Sequence, residues 1–189
     1  LSSINLIHFL NKDSSFKVKD FIQAVDIMTL AQEIIVGFSS YPTPAIEKTA
    51  HDFRELGLGF ANLGGLLMSK AYPYDSNEAR AWAGAITALM SGEAYKLSAI
   101  VAAKLGAYAG YKTNKEPQLK VIAMHRDEVK KINQKDIDRR DIKRSRLTEN
   151  FLQVIEENSE EKYKEQEMGN LWKKSQVEKK ENINPSNNN

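Results

Sequence analysis

The sequence predicts a mainly α-helical chain with a few short strands, built as an α/β segment and followed by a helix-rich polar C-terminal tail. Three patterns carry this prediction. Apolar residues recur at three- and four-residue steps over residues 18–38 and 79–103, which is the period of an α helix. Glycines cluster within residues 56–71, between a short apolar run and a leucine-rich run, which indicates a strand that turns into a helix. After Gly110 apolar residues become sparse, and that half cannot build a core of its own.

The first two elements are a strand and a long helix. Residues 4–10 form a short apolar run that predicts a strand, and the polar residues 11–15 predict a turn. The helix of residues 18–38 has apolar positions dense enough to predict burial on most sides, under a sheet on one side and other helices on the other. Pro42 and Pro44 end it. Its recurring positions are Phe21, Val25, Met28, Gln32 and Ile35, with Ile22, Leu30 and Ile34 filling the rest.

The glycine-rich stretch lies in one predicted β/α unit. The unit consists of a short helix, a strand and a second helix, at residues 45–55, 56–61 and 62–71. Such units present functional residues at the carboxyl end of the strand, so Gly57, Gly59 and Asn62 are candidates for lining a pocket. The alternative is that the glycines only allow a helix to pack closely on a strand. Their spacing matches neither a dinucleotide-binding loop nor a phosphate-binding loop.

The helix of residues 79–103 has capping residues at its start and many small side chains along its length. Asp75 and Ser76 offer side-chain oxygens to its first free amides, and Gly106 ends it. Alanine, glycine and serine are frequent along it, which allows a neighbouring helix to come close. We therefore expect it to pack on the helix of residues 18–38.

The C-terminal half predicts helices in water. Residues 127–181 are a predicted polar, charged helical extension, and residues 182–189 are a predicted disordered tail. A basic cluster within the extension suggests a helix face that binds nucleic acid, but nearby aspartates cancel much of its field. A solvated face of ion pairs is the preferred interpretation, so nucleic acid is not expected as a partner. The basic residues are Arg139, Arg140, Lys143, Arg144 and Arg146, and the aspartates are Asp136, Asp138 and Asp141.

Residue types that carry catalysis are sparse. The 189 residues contain no cysteine, which excludes disulfides and thiolate metal sites on this chain. The three histidines lie far apart and lack the spacing of metal ligands, so no metal site is expected. They are His8, His51 and His125. Asp52 and Glu55 flank Arg54 closely enough to predict an ordinary exposed ion pair, worth about 0 to 1 kcal/mol.

Several blocks in one order along the chain carry a resemblance to a known family. They are Leu1-Ser2-Ser3-Ile4-Asn5-Leu6, the long apolar helix, His51-Asp52-Phe53-Arg54 running into the glycine-rich stretch, and Pro73-Tyr74-Asp75-Ser76 before the next helix. Over about residues 1–126 the chain resembles the adenosylcobalamin-dependent (class II) ribonucleotide reductases. Residues 118–126 are similar to a basic helix of that family, and past them the resemblance fades.

The resemblance implies that residues 1–126 are a partial α/β segment of the ten-stranded reductase barrel. In the family, adenosylcobalamin generates a cysteine thiyl radical on a finger loop, the radical removes the ribose 3′ hydrogen, and a cysteine pair supplies the electrons. The block that matches residues 1–6 follows directly on one of those cysteines. Leu1 is therefore a candidate, with Gly57, Gly59 and Asn62, for lining the substrate or cofactor pocket. No catalytic residue is expected on this chain.

Length limits what such a chain does by itself. A chain of 189 residues buries one ordinary core but not a complete reductase barrel, so a segment is expected. The remaining segments of the reductase are the expected partners, and adenosylcobalamin and the ribonucleotide substrate are expected to bind the complete enzyme, not this chain alone. Neither a leader nor an apolar run long enough to span a bilayer is recognised, which predicts a cytoplasmic chain without membrane contact.

Two functions from different classes follow. The favoured one is a scaffold segment of a vitamin B12-dependent ribonucleotide reductase, inactive alone because it lacks the catalytic cysteines. The alternative is a truncated or repurposed helical module that binds a protein or RNA through residues 118–181. A fragment, one part of a split enzyme and a decayed reading frame all stay open, as do diphosphate and triphosphate substrates.

Overall fold

The computed structural model describes residues 1–132, which contain two β strands, one 3₁₀ helix and five α helices. In chain order they are β1 (Ser2–Asn5), the 3₁₀ helix (Leu6–Phe9), α1 (Val18–Phe38), α2 (Pro44–Phe53), β2 (Leu58–Ala61), α3 (Leu63–Ser69), α4 (Asn77–Leu105) and α5 (Tyr111–Val129). The expectation of a mainly helical chain with short strands is confirmed. The predicted tail, the extension from residue 133 onward and its basic cluster lie outside the described residues.

The two strands form a parallel pair. Ser2 lies opposite Leu58 and Asn5 opposite Ala61, and the connection between the strands carries α1 and α2. Parallel strands need such a crossover because no tight turn can join them. Helix α3 follows β2 directly, so the predicted strand-to-helix passage at the glycine-rich stretch is confirmed. The described residues show two strands of a sheet and not a ten-stranded barrel.

The first strand is shorter than predicted. It ends at Asn5, and residues 6–9 form the 3₁₀ helix instead of continuing to Leu10. The side chain of Asn5 accepts a hydrogen bond from the backbone amide of Ile7 at 3.3 Å, which caps this turn and competes with strand pairing. The turn places Leu6 in the core with no exposed surface.

The core lies between α1, α3 and α4. The predicted packing of α1 on α4 is confirmed, because these helices share the most extensive contact of any helix pair among the described residues. Fully burying side chains of this size contributes about 1.5 to 3 kcal/mol each, which makes this layer the main source of stability. Its largest fully buried members are Trp82, Phe21, Leu6, Leu66, Leu67, Ile86, Leu89 and Val25.

Four aromatic rings fill one end of this core. Phe21 lies edge-on to Phe9 and Phe16, with ring centroids 5.3 Å and 5.4 Å away. Phe16 also contacts Trp82, with centroids 6.2 Å apart. The ammonium of Lys70 lies 4.5 Å from the centre of the Trp82 ring. The ring contacts join the segment before α1 to α1 and α4 in the preferred geometry of aromatic pairs. Lys70, directly after α3, adds its ammonium to the Trp82 ring.

Helix α1 is less buried than its pattern predicts. One face packs on α4, but a second apolar face is exposed, so the expectation of burial on most sides is wrong for this face. It contains Ile27, Leu30, Ile34, Ile35 and Phe38. By length and composition alone, α1 is also apolar enough to cross a membrane, with a mean hydropathy of 1.5 over its best window. This corrects the sequence expectation, although the core helix of a soluble protein meets the same criteria.

The remaining helix boundaries have local causes. Helix α4 begins where predicted, because the Ser76 hydroxyl accepts a hydrogen bond from the amide of Ala79 at 3.1 Å. It ends at Gly106, whose φ of 91° favours glycine. Helix α5 begins at Tyr111, earlier than the basic helix expected from residue 118, and it includes Pro117. The boundary proposed at residue 126 therefore falls inside α5.

Candidate functional site

The carboxyl ends of both strands meet at a pair of asparagines. Asn62 follows β2 directly and has left-handed backbone angles, φ 64° and ψ 29°. Its amide Nδ2 donates a hydrogen bond to Oδ1 of Asn5 at 2.8 Å, and Asn5 is the last residue of β1. Functional residues of α/β units gather at this edge. Asn62 thus lies at the carboxyl end of β2 beside Asn5, a neighbour that the expectation of a strand running to residue 10 concealed.

Leu1 and Gly57 lie at the opposite end of the sheet. Gly57 precedes β2, and its carbonyl accepts a hydrogen bond from the Ser2 amide at 3.0 Å. A Cβ on Gly57 would lie only 2.7 Å from Cδ1 of Leu1. Since strands rise about 3.3 Å per residue, Gly57 is about 16 Å from Asn62 along β2. The structure brings Leu1 close to Gly57 and Asn5 close to Asn62. Leu1 and Gly57 therefore lie at the end of the sheet opposite to Asn62.

The glycines of the stretch provide close approach, not unusual backbone angles. Among the described glycines only Gly106 has a positive φ, and the left-handed position at the strand-to-helix turn is held by Asn62. A Cβ on Gly65 would lie 2.7 Å from Cδ1 of Ile7, so this glycine lets α3 approach the 3₁₀ helix. Gly59 lies opposite Ser3 in the sheet, with more room around it. The packing explanation therefore accounts for Gly65, whereas at Gly57 the nearby atom belongs to the exposed side chain of Leu1.

Gln32 connects α1 to the sheet at the Gly57 end. Its side chain is only 6% exposed, and Nε2 donates to the Gly57 carbonyl at 2.6 Å and to the Ser2 hydroxyl at 2.9 Å. Periodicity identified this position as inward-facing but not as a donor. The polar side chain in this apolar stripe gives the Gly57 carbonyl a second donor beside the Ser2 amide.

A cleft of about 830 Å³ opens between α1, α2 and α4. Its wall includes His51, Arg54, Tyr95 and Tyr108, whereas Leu1, Gly57, Gly59 and Asn62 are not among its lining residues. The His51 ring contacts Tyr41 with centroids 5.6 Å apart. The cleft is lined by Leu56 and Leu58, on either side of Gly57, so it borders the Gly57 end of the sheet and not Asn62.

Arg54 forms an ion pair that the sequence did not predict. Its Nε donates to Oε1 of Glu33 at 2.7 Å, and its Nη2 donates to the backbone carbonyl of Glu33 at 2.8 Å. The neighbouring Asp52 instead pairs with Lys48, one helical turn earlier. The expectation that Asp52 and Glu55 pair with Arg54 is thus wrong. Arg54 ends α2 with left-handed angles, which turn its side chain toward α1.

The described residues show no constellation for metal or nucleophilic chemistry. In residues 1–132 no group of three histidine, aspartate or glutamate residues is placed to hold a metal ion. His125 packs its ring on Tyr95, with centroids 6.1 Å apart, and His8 lies on the 3₁₀ helix. With no cysteine in the sequence, the chain can provide hydrogen bonds and packing surfaces but not sulfur chemistry.

Comparison with known proteins identifies the family. The family described as "Ribonucleotide reductase, barrel domain" matches residues 1–179, which extends past the recognisable blocks that end near residue 126. The vitamin B12-dependent ribonucleotide reductase of Rhodopirellula baltica is 46% identical over 133 residues, covering 70% of this chain and 13% of the relative. The enzyme of the same name from Streptomyces coelicolor is 43% identical over 143 residues, covering 73% and 15%.

A third relative agrees with these two. The vitamin B12-dependent ribonucleotide reductase of Bradyrhizobium diazoefficiens is 46% identical over 127 residues, covering 67% of this chain and 10% of the relative. The chain thus spans only a small part of the length of the curated relatives it matches. A match over most of this chain, together with the parallel β/α unit, means that the chain belongs to the ribonucleotide reductase family, as a segment of its barrel domain.

Proposed function

We propose that this chain is a scaffold segment of a vitamin B12-dependent ribonucleotide reductase, which converts ribonucleotides to deoxyribonucleotides for DNA synthesis by a thiyl radical mechanism. The observation that carries the proposal is the parallel pair of β1 and β2 with α1 and α4 packed beside it, in a chain similar to enzymes of that name. The segment contributes strands and helices to the barrel, and cysteines on other segments perform the chemistry.

The remaining segments of the reductase are the proposed partners. Two parallel strands do not make a stable sheet alone, and open parallel sheets are covered on both faces in α/β proteins. The exposed apolar face of α1 provides the surface for such cover. Within the complete enzyme the chain is proposed to be cytoplasmic, without contact to a membrane or to nucleic acid.

Adenosylcobalamin is proposed to bind the complete enzyme. Arg54, which lines the cleft, is paired with Glu33. The ribonucleotide substrate is likewise assigned to the complete enzyme. Asn5 and Asn62, at the carboxyl edge of the sheet, are proposed to line its pocket, while Leu1, Gly57 and Gly59 support the sheet from its other end and middle.

Reductase turnover by the purified chain tests this function. The 189 residues are assayed with ribonucleoside diphosphates and triphosphates, adenosylcobalamin and a dithiol, and the complete Rhodopirellula baltica relative serves as the positive control. We expect deoxyribonucleotide formation by the relative and none by the chain, and no retention of adenosylcobalamin by the chain in equilibrium dialysis. Measurable turnover by the chain overturns the assignment as scaffold.

A further inference from the structure

The cleft between α1, α2 and α4 has an apolar rim that is open to solvent. Four of the large apolar side chains that the structure leaves exposed line it, with exposed fractions between 37% and 65%. A chain seldom gathers exposed apolar side chains around one opening unless something binds there. The cleft volume of about 830 Å³ lies in the range of binding pockets. The four residues are Leu30, Phe53, Leu56 and Leu105.

Two buried polar atoms on residues that line the cleft have no hydrogen-bond partner among the residues that the structure describes. They are Oγ1 of Thr29 and Oε1 of Gln32. The two residues are only 7% and 6% exposed, and they lie three positions apart on one face of α1. Because an amide oxygen only accepts hydrogen bonds, an occupant that provides an N–H or O–H donor is favoured.

The charges of the cleft do not select a phosphate-bearing ligand. Among the described lining residues, Arg54 carries the one guanidinium or ammonium group, and Glu33 binds it through two hydrogen bonds. Phosphates are recognised by cations whose donors are free to form charge-assisted hydrogen bonds. An apolar segment with a few polar donors therefore fits this cleft better than a nucleotide does.

The C-terminal part of the chain contains a segment of this chemistry. Within residues 147–155, apolar residues recur at three- and four-residue steps, which predicts an amphipathic helix. Thr148 and Asn150 flank the apolar stripe and carry O–H and N–H donors. A helix of this kind binds a groove through side chains spaced in this way. The apolar residues of the stripe are Leu147, Phe151, Val154 and Ile155.

The described residues end within reach of the cleft. Helix α5 packs on α4, and beyond it Ile132 lies against Gly84, where a Cβ would be 3.4 Å from Cδ1 of Ile132. Gly84 is about 21 Å along α4 from Ser98, which lines the cleft. Residues 133–146 span up to about 46 Å when extended. The family match continues to residue 179, so residues 147–155 belong to the same domain as the cleft.

We propose that residues 147–155 of this chain dock in the cleft between α1, α2 and α4. They bind as a helix whose apolar stripe contacts the apolar rim and whose polar flanks provide donors for Thr29 and Gln32. The contact joins the charged C-terminal extension to the described fold. It goes beyond the scaffold function and does not depend on it, because both surfaces belong to this chain.

Thiol protection in the full 189-residue chain tests the proposal. The chain has no cysteine, so one introduced thiol reports one position. Ser98 is exposed among the described residues and lines the cleft, and Met68, at 75% exposure, is the control outside it. Ser98→Cys is expected to react with an aromatic disulfide about tenfold more slowly than Met68→Cys, because the docked segment covers it. Equal rates for the two thiols overturn the proposal.

Aspartates placed in the stripe show whether residues 147–155 are the occupant. Adding Leu147→Asp and Phe151→Asp to Ser98→Cys is expected to raise the thiol rate about tenfold, since ionised side chains do not enter an apolar cleft. Met168→Asp with Leu171→Asp, in the same extension but outside the stripe, is the matched control and is expected to leave Ser98→Cys protected. Protection that survives the stripe aspartates assigns the cleft to another occupant and contradicts the proposal. Protection that grows with chain concentration assigns it to a second copy and contradicts it equally.

Disulfide formation locates the contact without removing it. Ser98→Cys is combined in turn with Leu147→Cys, Phe151→Cys and Val154→Cys, and with Leu171→Cys as the control pair. The fastest of the three stripe pairs is expected to form its intrachain disulfide about tenfold faster than the control pair, because docking holds the two thiols within bonding range. The longer loop of the control pair changes the closure entropy little. Equal rates for all four pairs contradict the proposal.

Discussion

Gly110 lies directly against the ring of Phe53. A Cβ at position 110 would lie 2.7 Å from Cε1 and 3.0 Å from Cδ1 of this ring, and 3.4 Å from the carbonyl oxygen of Asp52. The Gly110 amide donates to that same carbonyl at 2.9 Å. The glycine thus joins the start of α5 to the end of α2, next to the cleft that Phe53 lines.

Substitution of Gly110 by alanine is expected to destabilise the chain by about 1 to 3 kcal/mol, because the aromatic ring of Phe53 must move. Urea unfolding followed by circular dichroism measures this. Gly57→Ala is the matched control: its Cβ also falls 2.7 Å from a side-chain atom, but that atom belongs to the fully exposed Leu1, which swings away easily. Equal losses for the two variants would contradict this account of the glycines.

Gln32 is expected to be the main polar link between α1 and the sheet. Gln32→Ala removes two partly buried hydrogen bonds, to Gly57 and Ser2, but also the Oε1 that has no partner among the described residues, so a net loss of about 1 kcal/mol in unfolding free energy is expected. Gln23→Ala, at an exposed position of the same helix, should change stability by less than about 0.5 kcal/mol. A similar loss of unfolding free energy at both positions would show that the hydrogen bonds of Gln32 do not stabilise the fold.

The ion pair of Arg54 and Glu33 is expected to be stronger than a surface pair. Both side chains are about three-quarters buried, at 25% and 23% exposure. A double-mutant cycle with Arg54→Gly and Glu33→Ala should give a coupling of about 1 kcal/mol or more, and glycine is chosen because it tolerates the left-handed angles of position 54. The exposed pair of Arg80 and Asp75 is the control, with a coupling below about 0.5 kcal/mol. Indistinguishable couplings would refute the distinction.

Asn62 is expected to be required for its backbone conformation. Its φ of 64° costs an ordinary residue about 1 kcal/mol, which asparagine and glycine largely avoid. Asn62→Ala should therefore have an unfolding free energy about 1 kcal/mol lower than that of Asn62→Gly, measured by urea unfolding. Both variants lose the hydrogen bond to Asn5. Equal stability of the two variants would mean that the left-handed turn is not formed in solution.

The sequence predicted the helices of this fold well where apolar residues recurred with the period of an α helix. The periodicities of α1 and α4 located both helices, and Ser76 and Gly106 marked the start and end of α4. The strand-to-helix passage followed from the density of glycine, but its mechanism did not. Glycine and asparagine both tolerate left-handed angles, so composition alone could not assign that turn to Asn62.

The candidate site was harder to predict because it depends on contacts distant in sequence. Nothing near Arg54 reveals that its partner is Glu33, or that Asn5 would face Asn62 across the sheet. Gly57 and Asn62 lie on either side of the four-residue strand β2 and are therefore about 16 Å apart, although they are close in sequence. The exposed face of α1 likewise follows from what packs beside it and not from its own pattern.

Reductase activity of a chimaera tests the central claim most directly. In it, residues 1–132 of this chain replace the matching segment of the Rhodopirellula baltica relative, whose cysteines are left in place. If this segment is scaffold, the chimaera is expected to form deoxyribonucleotides with adenosylcobalamin within about tenfold of the parent rate. A folded chimaera that binds adenosylcobalamin but forms no deoxyribonucleotide would contradict the claim.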